Sequence, residues 1–207
     1  MDLHGWSVFA LFWVVFVTTP GPNAVNCMQN GMAYGLRRSL WGVAAILTQA
    51  SLFLCLSALG VAALIATSPQ VFFWAKMLGA GVLVWLGLRG LWAVRRPIRD
   101  VPRSGRSIYL RALLIATVNA KSLAGYLAAF TQFVQPDVPI GRQMWAIVPT
   151  ALTITATSYV SYTALGAGLG RIALGAVLNR WFRGAMALCF IVYGLLLGGS
   201  AWQGRVT

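Results

Sequence analysis

Long apolar runs alternate with short polar segments along the whole chain. The first run, residues 6–17, would reach only about 18 Å as a helix at ~1.5 Å per residue, whereas the hydrocarbon core of a bilayer is roughly 30 Å thick. A helix that continues to about residue 34 is long enough to cross. Read in this way, the pattern predicts six membrane-spanning helices, at about 5–34, 40–66, 69–93, 109–134, 144–168 and 181–203.

The segment Pro20-Gly21-Pro22-Asn23 falls near the middle of the first predicted span. Two prolines remove two amide donors and crowd the carbonyls of the preceding turn, so we expect helix 1 to be broken at Pro20-Gly21-Pro22. Backbone carbonyls and the Asn23 carboxamide are then left without partners inside the helix. Such groups are tolerated at membrane depth only where protein or a water-filled cavity receives them. Pro20, Gly21, Pro22 and Asn23 are therefore candidate substrate-binding residues.

Composition points to an all-α integral membrane protein. Hydrophobic residues make up 59% of the chain and charged residues 9%, with a mean hydropathy of +0.76, whereas a soluble domain is about 25% charged. The length of 207 residues leaves room for about six helices and short loops. We expect a single transmembrane domain over 1–207, in which a basic cytoplasmic loop at 94–108 separates two three-helix halves, about 5–93 and 109–203.

The distribution of the cations predicts the orientation of the chain. The net charge of +13 lies mostly in short loops, where it sets topology and does not indicate a nucleic-acid partner. Ten cations in the odd loops against one, Arg142, in the even loops place the odd loops in the cytoplasm and both termini outside. Three spans in each half then predict two inverted repeats. The ten cations are Arg37, Arg38, Arg95, Arg96, Arg99, Arg103, Arg106, Arg171, Arg180 and Arg183.

Lys121 is the single residue in the sequence that most strongly indicates a functional site. It lies about midway along the fourth predicted span, where an ammonium costs at least ~2.5 kcal/mol on insertion scales. One interpretation is a cation that meets an anionic group of the substrate or exchanges a proton. The other is a lysine that snorkels, or pairs with carbonyls freed at the break in the first span.

Asn23, Gln49 and Asn119 are carboxamides that lie well inside predicted spans. Each can donate and accept hydrogen bonds, and facing carboxamides suit a zwitterion. We therefore include Gln49, Asn119 and Lys121 among the candidate substrate-binding residues. The structural alternative is that these side chains join helices by interhelical hydrogen bonds, worth ~0.6 kcal/mol on average.

The fifth predicted span carries hydroxyls at helical spacing, among them Thr153, Thr157 and Ser161. They are candidates for lining a pathway, although such hydroxyls most often bond the carbonyl four residues back. In the third span, Lys76 and Arg89 lie closer to the two ends, and we expect them to snorkel.

Several residue types that chemistry would require are scarce. The chain has no Glu, one His, His4, and three acids, Asp2, Asp100 and Asp137. Paired carboxylates, a Ser/His arrangement or a metal cluster cannot be assembled inside the spans, so we expect no enzyme, no metal site and no cofactor. Three cysteines without paired spacing indicate packing residues.

Short motifs occur along nearly the whole chain in the same order as in a known family. Through these motifs the sequence resembles the LysE/RhtB family of lysine and homoserine/threonine exporters. The element in the first span is the most specific of them, and the others follow at comparable spacing. The motifs are Thr19-Pro20-Gly21-Pro22-Asn23, Gly35-Leu36-Arg37-Arg38, Leu78-Gly79-Ala80 with Leu86-Gly87, Asn119-Ala120-Lys121, and Phe130-Thr131-Gln132-Phe133-Val134.

The resemblance implies a multi-pass protein of the bacterial inner membrane that exports amino acids or related small zwitterionic metabolites. It further implies that the proton gradient drives export, that Lys121 is the candidate for proton coupling, and that the protein is a homodimer in contact with membrane lipid.

The sequence departs from the family pattern at two functional positions. Ala120 stands where members usually have proline, and Gln49 stands where many have an acid. The second helix break and the proton route are therefore open. Two other functions also remain: a non-transporting membrane scaffold, and a transporter of lipids or ions.

Overall fold

Seven helices make up the described part of the chain, which comprises residues 3–67, 69–93, 107–177 and 179–206 of a computed structural model. No strand occurs within these ranges. The predicted basic loop lies mostly outside them, including Arg95, Arg96, Arg99, Arg103 and Arg106. The helices are α1 (Leu3–Thr18), α2 (Pro22–Thr67), α3 (Pro69–Ala93), α4 (Ile108–Thr117), α5 (Ala120–Phe133), α6 (Ile140–Val177) and α7 (Arg180–Val206).

The helices follow the predicted spans, with two long helices bent at glycines. Gly35, with φ 70° and ψ 170°, interrupts α2, and Gly170, with φ 53°, interrupts α6. Only glycine adopts such angles without strain. The chain folds back sharply at Gly35. The fold-back is seen in the side-chain amide nitrogen of Asn30, which lies 3.2 Å from where a Cβ of Gly42 would stand. The predicted loop at 35–39 is thus a turn at one residue.

Three stretches of the described residues are long and apolar enough to cross a bilayer: Pro22–Val61, Gln70–Trp92 and Arg183–Gln203. Helices α1 and α4 are apolar but shorter, with 16 and 10 residues. At ~1.5 Å per residue neither spans a bilayer alone. The count of six spans and the inverted repeat stay predictions.

The helices pack in two sets of close contacts. Helix α2 lies along α6 and α4, and α3 lies along α7 and α5. At the first crossing, Gly31 abuts the Thr163 carbonyl and Gly166 abuts the Met28 carbonyl, so that neither site has room for a methyl group. The absence of side chains lets the backbones approach closely, as at interfaces between membrane helices.

The core lies around α1, which carries four fully or nearly fully buried rings, Phe9, Phe12, Trp13 and Phe16. The Trp13 indole donates to the Ala151 carbonyl and to the Thr155 hydroxyl, both at 3.0 Å. These bonds satisfy the one polar atom of a large buried ring. They also fix α1 against α6 just before the first helix break.

Candidate functional site

The first helix break lies between Thr18, where α1 ends, and Pro22, where α2 begins. The Thr18 carbonyl has no amide donor four residues ahead, because Pro22 has no N–H. It accepts instead from the Tyr162 hydroxyl of α6 at 2.5 Å. The next carbonyl, of Thr19, accepts from the Lys121 ammonium of α5 at 2.7 Å. Two carbonyls exposed by the break are therefore capped by side chains from the second half.

A second break separates α4 from α5 at Val118 and Asn119. It forms although Ala120 replaces proline, because the Asn119 side chain caps α5 by accepting from the Lys121 amide at 3.1 Å. Asparagine is among the preferred residues at this position. The question left open by the sequence is settled: the second half also contains two short helices in place of one.

The Lys121 side chain joins the two breaks. Its ammonium reaches the Thr19 carbonyl and lies 5.2 Å from the centre of the Phe16 ring, within the range of a cation–π contact. Within the described ranges no ion pair with an acid is formed, and the single described acid, Asp137, lines a different cavity. The ammonium is held by a carbonyl dipole and a ring face rather than by a counter-charge.

A small polar cavity, here called the central chamber, lies between the breaks. Its volume of about 10 Å³ is about the minimum that a single water molecule requires. Two buried atoms beside it, Asn23 Oδ1 and Gln49 Nε2, have no hydrogen-bond partner among the described residues. The lining residues are Phe16, Val17, Thr19, Gly21, Asn23, Ala24, Ile46, Gln49, Asn119, Lys121, Ser122, Tyr126, Thr155 and Tyr159.

A larger cavity of about 500 Å³, here called the vestibule, shares part of its wall with the chamber. Lys121 lines both cavities and so stands between them. Two further cations, Arg89 of α3 and Arg183 of α7, line the vestibule alone. Its residues are Thr19, Pro20, Gly21, Pro22, Leu86, Arg89, Gly90, Val118, Asn119, Lys121, Arg183, Ala187 and Phe190.

The seven substrate-binding candidates named from the sequence all lie around these two cavities. They come from both halves of the chain, which is the arrangement that a site between two broken helices requires. Their role stays a prediction. Gly21, Asn119 and Lys121 line both cavities, Asn23 and Gln49 line the chamber, and Pro20 and Pro22 line the vestibule.

The three pathway candidates on α6 are placed elsewhere. Thr153, Thr157 and Ser161 are exposed and line neither cavity. The Ser161 hydroxyl donates to the Thr157 carbonyl of its own helix at 2.8 Å, as expected for hydroxyls in apolar helices.

The opposite face of α6 supplies polar groups that the sequence reasoning missed. Thr155 and Tyr159 line the chamber, and Tyr162 caps the Thr18 carbonyl. Their spacing of four and three residues is the helical period that marks one face. That periodicity could have identified the inward face of α6 from the sequence. The row of Thr153, Thr157 and Ser161 is equally regular, however, so periodicity alone does not choose between the two faces.

The expectation that Arg89 snorkels stays a prediction. Its guanidinium carbon lies 5.1 Å from the centre of the Trp85 ring. The same residue, however, lines the vestibule together with Lys121. Its position near the helix end was readable from the sequence, but the cavity beside it was not.

Helices broken around a shared polar chamber, in a chain of apolar helices, define a membrane protein with a polar internal cavity. The LysE type translocator family model matches residues 14–200. The chain therefore belongs to the LysE type translocator family, whose members are transporters and not enzymes, and at family level it is an amino-acid exporter.

The chain is similar to several bacterial membrane proteins. An uncharacterized membrane protein of Vibrio cholerae is 35% identical over 175 residues, which are 83% of this chain and 85% of the relative. A leucine efflux protein of an Enterobacter species is 27% identical over 199 residues, 94% of this chain and 90% of the relative. A leucine efflux protein of Salmonella choleraesuis is 29% identical over 168 residues, which are 79% of this chain and 78% of the relative. No solved structure matches the chain.

Proposed function

We propose that the protein exports amino acids or related small zwitterionic metabolites across the bacterial inner membrane by alternating access. The observation that carries this proposal is the contact of the Lys121 ammonium with the Thr19 carbonyl, at the point where the two helix breaks meet. The chamber beside it holds partly unsatisfied carboxamides. A zwitterion offers the complementary groups, a carboxylate and an ammonium.

The substrate carboxylate is placed near Lys121 and the amino end of α5, where backbone amides and the helix dipole favour an anion. The substrate ammonium is placed near Asn23 Oδ1, which has no partner within the described ranges, and near the Thr19 carbonyl. In this pose the substrate takes over the carbonyl that Lys121 contacts in the present structure. The lysine is then released to meet the carboxylate.

The sizes of the two cavities suggest the state that the structure represents. The vestibule of about 500 Å³ can hold an amino acid, whereas the chamber of about 10 Å³ cannot. In α1, whose Phe16 lines the chamber, the preceding rings of Phe12 and Trp13 are buried, each 0% exposed. We assign this arrangement to a state open on the vestibule side and closed by the α1 rings.

Reciprocal contacts between α3 and α7 support the inverted repeat. A Cβ at Gly87 would lie 2.7 Å from the Ala187 carbonyl oxygen, and a Cβ at Gly194 would lie 2.8 Å from the Ala80 carbonyl oxygen. Ala80 and Ala187 are 107 positions apart, and so are Gly87 and Gly194. Each helix thus contacts the other through the same pair of positions, as two copies related by a two-fold axis do. The paired helix breaks agree with the same relation.

The orientation follows from the cations. The positive-inside rule places the odd loops in the cytoplasm and both termini in the periplasm, so the vestibule, near the end of α3 and the start of α7, faces the cytoplasm. Uptake of substrate from that side is the first step of export. Coupling to protons through Lys121 and a homodimeric state are carried over from the family resemblance.

The relatives named as leucine efflux proteins make leucine the first substrate to test. Purified protein in proteoliposomes loaded with radiolabelled leucine should release label in a saturable manner, and Lys121→Ala should slow release at least about tenfold. The reason is that hydrogen bonds to charged groups are worth about 1.5–3 kcal/mol. Asn23→Ala should act in the same direction.

Lys76→Ala is the matched control, since Lys76 lies in α3 over the Phe72 ring and lines neither the chamber nor the vestibule. Unchanged leucine release by both site variants, at equal reconstitution, would remove the proposed site. If wild-type protein releases neither leucine nor any other amino acid above empty liposomes, the exporter proposal itself fails.

A further inference from the structure

We propose that Arg89 and Arg183 form, with Lys121, a carboxylate-selecting access site in the vestibule, which admits zwitterionic and anionic amino-acid derivatives and rejects those with a net positive charge. This inference rests on the proposed export function and adds its charge specificity. It concerns two arginines that line the vestibule but not the chamber.

The three cations converge from three different helices. Arg89 belongs to α3, Arg183 to α7 and Lys121 to α5, and all three line the same cavity of about 500 Å³. Arg89 is positioned by the Trp85 ring, with 5.1 Å between the guanidinium carbon and the ring centre. Lys121 also lines the chamber, whereas the two arginines do not, so a solute in the vestibule can meet the guanidinium groups without entering the chamber.

Among the described residues that line the vestibule, the charge is of one sign. None of these thirteen residues is acidic, and the chain has only three acids. Asp137 lines the cavity beside Gln135 and Pro136 and not the vestibule, whereas Asp2 and Asp100 lie outside the described residues. A cavity lined by one sign of charge raises the local concentration of solutes with the opposite charge and lowers that of like-charged ones.

The planar guanidinium also suits the ligand. Arginine presents donors in a fork that matches a carboxylate, and such charge-assisted contacts are among the stronger ones in proteins. Arg89 and Arg183 are therefore placed to capture the carboxylate first and pass it to Lys121. Setting the topology requires only a positive charge on the cytoplasmic side and does not require that the arginine line a cavity, as Arg89 and Arg183 do.

A charge series on one carbon skeleton tests this inference. Leucine is neutral overall, leucine methyl ester is positive, and 4-methyl-2-oxopentanoate is negative. Each is offered at the vestibule side as a competitor of radiolabelled leucine transport by reconstituted protein. In the wild type we expect the oxo acid to compete although it lacks the ammonium, and the ester to compete at least about fivefold less well than leucine.

Arg89→Gln and Arg183→Gln should each raise the half-saturating leucine concentration about fivefold and reduce the discrimination against the ester. Arg89→Lys and Arg183→Lys should keep the discrimination, because they keep the charge. Arg38→Gln is the matched control: Arg38 is an exposed cation of α2, three residues after the Gly35 turn, predicted on the same side of the membrane, and it lines neither cavity.

The outcomes separate the two proposals. If wild-type protein does not transport leucine or any amino acid, the exporter function is at fault. If it transports leucine but the Gln variants discriminate against the ester as the wild type does, the arginine site is overturned. If a Gln variant fails to fold, judged by its melting temperature in detergent, the Lys variant decides, because loss of discrimination in a folded Lys variant would contradict a charge-based mechanism.

Discussion

Tyr162 donates its hydroxyl to the Thr18 carbonyl across 144 positions of sequence, at 2.5 Å. The residue four positions after Thr18 is Pro22, which has no amide N–H to donate to this carbonyl. Tyr162→Phe therefore leaves the Thr18 carbonyl without a hydrogen-bond donor and should lower the free energy of unfolding by about 1–3 kcal/mol. The melting temperature in detergent measures the loss. Ser161→Ala is the control, because the Ser161 hydroxyl bonds only within its own helix. Equal melting temperatures for the two variants would contradict a capping role.

Gly125 allows the Phe16 ring to pack against α5. A Cβ at this position would overlap the ring, and the ring in turn lies under the Lys121 ammonium. Gly125→Ala should therefore destabilise the protein by about 1–3 kcal/mol, typical of overpacking, and reduce leucine release. Gly141→Ala tests the specificity of the effect, because no atom lies within 4 Å of its added methyl group. Similar release rates for the two variants would separate Phe16 from the site.

The reciprocal contacts of Gly87 and Gly194 make a paired prediction. Gly87→Ala and Gly194→Ala should lower the melting temperature by comparable amounts, because each methyl group would meet a carbonyl of the facing helix below 3.0 Å. Gly81→Ala and Gly199→Ala, on the same two helices, meet nothing within 4 Å and should be neutral or slightly stabilising. A large loss at one glycine and none at the other would argue against equivalent halves.

Asn26 is fully buried, and neither its amide nitrogen nor its carbonyl oxygen has a partner in the described ranges. A buried polar group without a partner costs about 1–3 kcal/mol, so Asn26→Leu should raise the melting temperature in detergent. Asn23→Leu provides the comparison, because Asn23 is proposed to bind substrate and its loss should also abolish stabilisation by leucine. A lower melting temperature for Asn26→Leu would instead show that the carboxamide is bonded to internal water.

The sequence anticipated the helices better than their bends. Apolar run lengths predicted helices in the right regions, and the third predicted span, 69–93, coincides with α3, Pro69–Ala93, whereas the fifth, 144–168, is shorter than α6, Ile140–Val177. The count of six spans stays a prediction. The break at Pro20-Gly21-Pro22 is confirmed, because missing amide donors act locally and do not depend on distant residues. The fold-back at Gly35 was predicted as a longer loop, since a single positive φ leaves no signature beyond the glycine itself.

Within the candidate site, the correct predictions of cavity-lining residues came from individual polar residues in apolar spans. Lys121 and the carboxamides Asn23, Gln49 and Asn119 stood out because polar groups are expensive at membrane depth. On α6 the same reasoning selected the exposed row of Thr153 and its neighbours. Both faces of that helix carry polar residues at helical spacing, and only packing against α1 and α2 determines which face is inside.

By itself the sequence determined an apolar chain with too few acids for hydrolytic chemistry, a helix that cannot continue through two prolines, and one ammonium at membrane depth. These properties reside in the covalent chain and its solvation. Only the tertiary structure decided that the ammonium reaches the Thr19 carbonyl, that Asn119 breaks the fourth span without a proline, and that Arg89 and Arg183 share a cavity with Lys121. Such contacts join residues from separate helices, and their geometry is set by how closely glycine-lined helices approach one another.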